Sequence, residues 1–274
     1  MPALPQMISI PAGVVELRDA RAGSRPTHTA PTRTAPTQTT LTRTVSLRAF
    51  EIGRTPVTCA EYDGVAARPS SPADRAALPA HPVSWFAAVQ WCNLASDAAG
   101  LDRAYAIDDR RVSWDVGADG FRLPTEAEWE WACRAEVTAP RYGPLGEIAW
   151  TAADEVAGAQ PVAGKAANAF GLFDTLGNVW EWCWDHADTA RYGDYRSLRG
   201  GGWADREWSV RASVRRGSAP DAVLEDVGFR VARGAVGEPG VEPNAAQGWS
   251  AAADRERADV RGPRPIGWTP LRDA

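Results

Sequence analysis

Acidic side chains and a histidine come close together in sequence in the second half of the chain. His186 lies between Asp185 and Asp188, and Asp205 and Glu207 follow further along. Two carboxylates with one histidine make a hard set of oxygen and nitrogen ligands, of the kind that favours non-heme Fe(2+). The alternative is that these acids, with many arginines around them, form surface ion pairs that contribute about 0–1 kcal/mol each.

Cysteine chemistry is not indicated by the sequence. The four cysteines are widely spaced, without a Cys-x-x-Cys pair or the Cys/His spacing of a zinc site. Cys92 and Cys133 lie in helical patterns beside tryptophan and alanine, where a free thiol behaves as a small apolar residue. We therefore predict four structural thiols, at Cys59, Cys92, Cys133 and Cys183.

The composition predicts a globular protein whose main partner is not a nucleic acid. Of the 274 residues, 44% are hydrophobic and 24% are charged, which allows a sizeable core and argues against wholesale disorder. The formal net charge of −5 lacks the basic excess that phosphate binding needs. Because no apolar run approaches the ~20 residues that span a bilayer and no secretory signal is evident, we expect a cytoplasmic protein without a membrane partner.

Three helices are predicted from capping residues and apolar spacing. A serine or threonine hydroxyl at each start can accept a hydrogen bond from an early helical N–H, and in the third helix Glu128 completes a capping box. The predicted helices follow Thr58, Ser84 and Thr125, and they end near Ala67, Gly100 and Ala135.

The remaining chain is predicted to be irregular. Between residues 140 and 231, glycine, proline and aspartate indicate short strands and turns. Thirteen tryptophans predict a core of large flat side chains with hydrogen-bonded edges. Residues 24–44 repeat threonine with an odd period, which cannot keep one face of a strand inward, so we predict an exposed arm that leads into a strand near residues 45–52.

We predict one domain over residues 1–233 and a tail over residues 234–274. The tail is first rich in glycine and proline and then charged. Tryptophan is costly when it is exposed in a polar tail, so Trp249 and Trp268 are expected to anchor the tail on the domain surface or on a partner.

Four motifs combine aromatic residues with glycines and charged residues. This combination suits irregular backbone, because glycine permits positive φ and polar side chains satisfy main-chain groups that no ladder pairs. The residues alone predict a single loop-rich α+β domain. The motifs are GFRLPTEAEWEW (120–131), NAFGLFD (168–174), GNVWEW (177–182), and RGGGW (199–203) followed by GFR (228–230).

In this order and at these distances, the motifs resemble those of the formylglycine-generating-enzyme (sulfatase-modifying-factor) family over roughly residues 7–233. The resemblance implies an irregular C-type-lectin-like fold with little regular secondary structure. The family includes copper-dependent oxidases that use O₂ to turn a peptidyl cysteine into formylglycine. It also includes iron-dependent sulfoxide synthases and members without demonstrated activity.

The sequence departs from the copper oxidases after Gly202. Those enzymes have two cysteines, five residues apart, between the Gly-Gly motif and Gly-Phe-Arg, and soft thiolates select Cu(I). Here Asp205 falls near the position of the first cysteine, and Ser209 or Val210 near the second. Carboxylate and hydroxyl groups do not hold Cu(I) as thiolates do, so we expect the copper chemistry to be absent.

The resemblance places the functional groove along residues 199–230, where a peptide, a protein or a small molecule would bind. As an enzyme, the chain would be an O₂- and metal-dependent oxidase that tailors a peptide or an amino acid. Fe(2+) would be held by His186 and Asp205, and a structural Ca(2+) by Asn178. The predicted catalytic residues are Asp205, Glu207, Ser209 and Arg211, and the predicted substrate-binding residues are Trp203, Trp208, Arg215 and Arg216.

A non-catalytic binding module is the alternative hypothesis. C-type-lectin-like scaffolds tolerate extreme variation in this late segment, because the framework holds it from both sides. The acidic and arginine-rich loop 203–226 would then be a recognition surface with arginine and tryptophan as anchors. The tail after residue 233 favours this hypothesis, since it could dock a partner.

Overall fold

Short strands dominate the computed structural model, which describes residues 2–18, 42–237 and 246–258. The longest described helix has 15 residues, and the longest described strand has seven. The strands are β1 (Met7–Ile10), β2 (Gly13–Arg18), β3 (Thr42–Leu47), β4 (Phe50–Gly53), β5 (Tyr105–Asp108), β6 (Arg111–Trp114), β7 (Phe121–Arg122), β8 (Trp180–His186), β9 (Arg196–Arg199), β10 (Arg215–Ser218), β11 (Val227–Phe229) and β12 (Ala232–Arg233). The helices are α1 (Cys59–Val65), α2 (Trp85–Ala99), α3 (Glu126–Arg134), α4 (Leu145–Ile148), α5 (Thr189–Tyr192) and α6 (Ala251–Ala258).

Two four-stranded sheets organise the described part of the chain. The first has the order β1-β4-β12-β7 and is antiparallel throughout. The second has the order β10-β9-β8-β11, in which β8 is antiparallel to β9 and parallel to β11. Trp182 of β8 is therefore paired with Leu198 on one side and with Phe229 on the other. Two-stranded ribbons, β2-β3 and β5-β6, complete the pairing.

Side-chain caps begin the three helices that the sequence predicts. Thr58 and Thr125 each form a complete capping box, and Ser84 accepts a hydrogen bond from the N–H of Ala87. Gly100 ends α2 in the left-handed conformation, at φ 69°. The predicted helix starts are confirmed, and α1 ends slightly earlier than predicted, at Val65.

Tryptophan side chains build the core between α2 and the second sheet. Trp85 and Trp91 of α2 are buried, as are Trp182 and Trp184 of β8. The rings of Trp85 and Trp184 have centroids 5.4 Å apart. The indole N–H groups of Trp85, Trp91 and Trp182 each donate to a backbone carbonyl. This arrangement confirms the predicted core of flat side chains. The predicted hydrogen-bonded edges hold for three of these four tryptophans, since Nε1 of Trp184 has no hydrogen-bond partner among the described residues.

All four cysteines are free and buried. Burial raises the pKa of Cys133 to about 12, and it also raises the pKa values of Cys59, Cys92 and Cys183. The thiols are therefore protonated at neutral pH and act as small apolar groups, as the sequence predicts.

The strand after the threonine-rich arm was predicted wrongly. Instead of one strand near residues 45–52, the chain forms β3 and β4, and residues 42–44 belong to β3 rather than to a loop. Strand β3 pairs along its whole length with β2, and this backbone pairing compensates for threonine side chains that face solvent. The rest of the arm, residues 24–41, lies outside the described residues.

Part of the predicted tail packs on the domain. Trp249 is buried against Trp114 and Trp184, with ring centroids 5.7 and 5.4 Å away, so it is an anchor as predicted. Trp268 lies outside the described residues. None of the helices in the described ranges is both long and apolar enough to cross a membrane.

Candidate functional site

The second sheet positions the segment in which the sequence places the site. Strand β9 leads into residue 200, the chain returns to the edge of the sheet as β10 (Arg215–Ser218), which pairs with β9, and it then crosses to Val227, where β11 begins. We call residues 200–226 the site segment. Because β9 and β11 flank β8, this segment starts on one side of β8 and ends on the other.

Glycines allow the chain to turn tightly as it leaves β9. Gly200 and Gly201 have φ values of 97° and 85°, which side chains other than glycine rarely adopt. A Cβ on Gly201 would lie 2.9 Å from Cγ2 of Val210. The close approach of these two residues fixes the turn that contains the two positions expected for the copper thiolates.

Asp205, at the first thiolate position, is tied to the sheet by hydrogen bonds. Its Oδ2 accepts from the indole N–H of Trp180, at 2.7 Å, and from the N–H of Gly202, at 2.8 Å. Both bonds end on the same oxygen, and Oδ1 receives no hydrogen bond from the described residues. The carboxylate is thus held in one orientation with one oxygen available.

Val210, near the second thiolate position, is buried in the core. It is fully buried and packs with Trp129, Cys133 and Cys183. Ser209, the other residue near this position, is also buried. A hydrogen-bonded carboxylate and a buried aliphatic side chain do not offer the two soft donors that Cu(I) requires. The residues present therefore do not fit the copper ion that the family's oxidases use.

Asp226, which sequence reasoning missed, lies on the other side of Gly202. Its Oδ2 is 3.1 Å from the point that a Cβ on Gly202 would occupy, and Cδ1 of Trp180 is 3.3 Å from the same point. The missing side chain of Gly202 thus leaves room between Asp226 and Trp180. In the sequence, Asp226 could have been found from its position just before the Gly-Phe-Arg motif. In the structure, its backbone carbonyl accepts a hydrogen bond from the N–H of Trp180.

Partial burial raises the pKa of Asp226. The guanidinium of Arg216 opposes this rise, and the carboxylates of Asp205 and Glu225 add to it. Arg216 lies over the Trp180 ring, with its guanidinium carbon 5.9 Å from the ring centroid. Trp180, Asp205, Asp226 and Arg216 therefore share one small region.

The other predicted site residues have different neighbours. Glu207 forms an ion pair with Arg141 at 2.8 Å, and its side chain is 73% exposed. Arg211 donates to the carbonyl of Trp208, whose side chain points largely into solvent. Arg215 forms a bidentate ion pair with Glu126 of α3.

Trp203 contributes a buried polar atom. Its indole Nε1 has no hydrogen-bond partner among the described residues, while its backbone N–H donates to the carbonyl of Asn178. Nε1 of Trp114, Trp150 and Trp184 is also buried without a partner among the described residues, so this atom by itself does not indicate a ligand site.

The three residues predicted as metal ligands do not meet. Asn178 precedes β8 and His186 ends it, and a rise of ~3.3 Å per residue separates them by roughly 20 Å or more. The bond between Trp203 and Asn178 places Asp205 at the start of β8, far from His186. In the ranges that the structure describes, no group of three or more His, Cys, Asp and Glu residues could hold a metal ion.

His186 and Asn178 each bond to protein groups. His186 Nδ1 lies 3.3 Å from Oδ2 of Asp254 in α6. Asn178 Oδ1 accepts the N–H of Gln160, and its amide nitrogen donates to the Gln160 carbonyl and to Asp174. The Asn178 side chain braces two loops, and Ca(2+) binding there stays a prediction.

The charged residues of the motifs pair with one another inside the protein. Glu181 of GNVWEW accepts two hydrogen bonds from Arg230 of GFR, and its Oε2 also accepts the indole N–H of Trp129. Arg199 pairs with Glu130, and Arg122 with Glu128, all nearly fully buried. These pairs join the motifs to a common framework behind the site segment.

Comparison with known proteins identifies the family to which this framework belongs. Residues 1–235 match the family model of the sulfatase-modifying factor enzyme 1-like domain. The chain belongs to this family. It is a sulfatase-modifying-factor-like protein without the cysteine pair of the copper oxidases, since residues 199–230 contain no cysteine.

Several known proteins resemble this sulfatase-modifying-factor-like chain. It is 29% identical to the chaperone protein LppX of Paenibacillus barcinonensis over 69% of this chain and 81% of that protein. It is 32% identical to the inactive C-alpha-formylglycine-generating enzyme 2 of Bos taurus over 56% of this chain, and it spans about three-fifths of that protein, or 61%.

A solved structure supports the architecture. Treponema denticola variable protein 1 superposes with a TM-score of 0.68 at 27% identity, covering 83% of this chain and 94% of that one. The predicted C-type-lectin-like fold, with its small sheets and irregular connections, is confirmed.

Proposed function

We propose that this sulfatase-modifying-factor-like protein takes a peptide or amino-acid substrate at the site segment and tailors it without a copper thiolate pair. The observation that carries the proposal is the pair of carboxyl groups around Gly202. Asp205 stands where the family's oxidases have a thiolate, and Asp226 approaches Gly202 from the other side.

The two carboxyl groups are suited to different roles, substrate binding for Asp205 and proton transfer for Asp226. Asp205 has one oxygen fixed by two hydrogen bonds and a second oxygen available to an N–H group of the substrate. Asp226 has a raised pKa, so it holds a proton more readily than an ordinary aspartate. A carboxyl group of this kind is a better proton acceptor than an ordinary aspartate.

Family membership favours oxidation by O₂ as the reaction. In such a reaction O₂ would take two electrons and two protons from the substrate and leave as H₂O₂, and Asp226 would relay one of these protons. The described residues offer no three-residue set for Fe(2+), so no step is assigned to a metal.

The test measures O₂ consumption and product mass with pools of peptides and amino acids, with and without added Fe(2+) or Cu(I). We expect turnover that does not require copper and that falls about tenfold or more in Asp226→Asn, because the proton acceptor is lost. Asp74, an exposed aspartate outside the site segment, gives the control, since Asp74→Asn should keep wild-type turnover. Turnover that depends on Cu(I), or that survives Asp226→Asn unchanged, would refute the proposal.

A binding module is the second candidate, and one observation favours it. Trp208, in the site segment, is 66% exposed, and tryptophan is enriched among the anchors of binding interfaces. Binding without any change in ligand mass, lost in Trp208→Ala, would select this candidate over the oxidase.

A further inference from the structure

The end of the described chain makes a second set of specific contacts. Residues 246–258, which we call the C-terminal clasp, lie beyond the part that matches the family. A stretch rich in glycine and proline, residues 234–245, connects them to the domain.

The clasp begins with a tight turn. Ala246 and Trp249 exchange both backbone hydrogen bonds, at 2.7 and 2.9 Å. The residues between them, Gln247 and Gly248, have φ values of 47° and 83°. Positive φ at both central positions defines a turn that presents its two central residues at a tip.

The carboxamide of Gln247 forms hydrogen bonds through both its oxygen and its nitrogen. Its Oε1 accepts the N–H of Arg48 at 2.9 Å, and its Nε2 donates to the Arg48 carbonyl and to Oε1 of Glu128, each at 3.1 Å. Its backbone carbonyl accepts the hydroxyl of Thr125 at 2.7 Å. Gln247 is only 6% exposed, so these groups recognise a primary amide in a dry setting.

The next position accepts only glycine. A Cβ on Gly248 would lie 2.9 Å from both Cβ of Ala127 and Cγ1 of Val45, and the positive φ would strain any other residue. The carbonyl of Gly248 also accepts a hydrogen bond from the guanidinium of Arg43 at 2.6 Å.

The third position takes an indole. Trp249 packs between Trp114 and Trp184, and its Nε1 donates to Oδ2 of Asp254 within the clasp. The carbonyl of Asp254 in turn accepts the hydroxyl of Thr189. Buried tryptophans with satisfied N–H groups are typical anchors of binding interfaces.

We propose that the domain carries a receptor site for a Gln-Gly-Trp turn peptide, and that the clasp occupies this site as a tethered, exchangeable ligand. Three consecutive residues make contacts specific to their residue type, through the carboxamide of Gln247, the absent Cβ of Gly248 and the indole of Trp249, and such contacts are typical of peptide recognition. The same sequence supplied from another chain offers identical contacts and competes with the clasp. This proposal does not depend on the function proposed for the site segment.

The experiment uses the full chain with a protease recognition sequence in place of residues 238–245. After cleavage, the clasp fragment should stay bound through gel filtration. A fluorescently labelled synthetic peptide of residues 246–258 in excess should then replace it, as measured by fluorescence anisotropy.

Variant peptides test whether Gln247 and Gly248 are recognised specifically. Gln247→Leu removes three side-chain hydrogen bonds, and Gly248→Ala adds a clash, so each should compete about tenfold or more weakly than the unmodified peptide. Glu256 is exposed, and the matched control peptide Glu256→Gln should compete as well as the unmodified one.

Three results would overturn the proposal. The first is a cleaved protein that unfolds, since the clasp would then be part of the folding core. The second is a bound fragment that excess peptide does not replace. The third is equal competition by the Gln247→Leu and unmodified peptides, which would show that the carboxamide is not recognised.

Discussion

Substitution of Glu181 by glutamine tests whether the motif residues form a structural framework. Glu181 and Arg230 are 1% and 0% exposed, and their ion pair is 2.8 Å long. Arg230 donates in addition to the carbonyls of Gly53 and Phe173. Glu181→Gln keeps the shape of the side chain but leaves the guanidinium of Arg230 without a carboxylate in the core.

The expected loss follows from the burial of the pair. Removing one partner of a buried ion pair costs about 3–5 kcal/mol, because the remaining charge stays desolvated. For Glu181→Gln we expect the lower end, about 3 kcal/mol, since the amide oxygen still accepts a hydrogen bond. In a domain of this size that corresponds to a fall in Tm of roughly 6–12 °C.

The chain offers a control in a partly exposed Arg–Glu pair, in which one carboxylate oxygen accepts both hydrogen bonds. Arg233 donates two hydrogen bonds to Glu51, and the two side chains are 32% and 35% exposed. Because water screens this pair, Glu51→Gln should cost only about 0–1 kcal/mol. Urea unfolding monitored by tryptophan fluorescence gives both values. Equal losses in the two variants would refute the argument that burial of the charge dominates.

Three further outcomes are expected. Burial and the neighbouring Glu126 raise the pKa of Asp185 from 3.8 to about 7, so the folded state is destabilised at pH values at which this carboxylate must be charged. Asp185→Asn should therefore raise Tm more at pH 8.5 than at pH 5.5 in calorimetry. An equal change in Tm at both pH values would contradict this. Gly201→Ala, with φ at 85° and a close approach to Val210, should cost about 1–3 kcal/mol in urea unfolding. Gly146→Ala, in open space within α4, should instead stabilise the protein by about 0.4–1 kcal/mol. Trp208→Ala should change stability by less than about 0.5 kcal/mol, because the side chain is 66% exposed, and a larger loss would show that the indole packs on the fold.

The sequence was sufficient where the stabilising groups lie close together along the chain. Thr125 caps α3 through a residue one turn away, and Gly100 ends α2 by its own backbone conformation. These are local interactions, and the residue types determine them almost alone. Strand β3 was harder, because its pairing with β2 overrides the polarity of residues 42–44.

Long-range partners could not be predicted from one sequence. Glu181 and Arg230 are 49 residues apart, and nothing in either motif specifies which arginine meets which glutamate. The same limit explains the predicted iron ligands, since His186 and Asp205 are close in sequence terms but lie toward opposite ends of β8. Asp226 was missed because it is distant from Gly202 in the sequence, and only the sheet brings the two residues together.

The placement of β9 and β11 on either side of β8 has an evolutionary consequence. Two strand spacings, about 10 Å, separate the end of β9 from the start of β11. Of the residues between these points, Arg215–Ser218 form β10 and pair with β9, while the rest lie outside the strands. Selection can therefore exchange thiolates for carboxylates in residues 200–214, or one set of exposed side chains for another in residues 219–226, without altering strand pairing, and new specificities can arise here at little cost to folding.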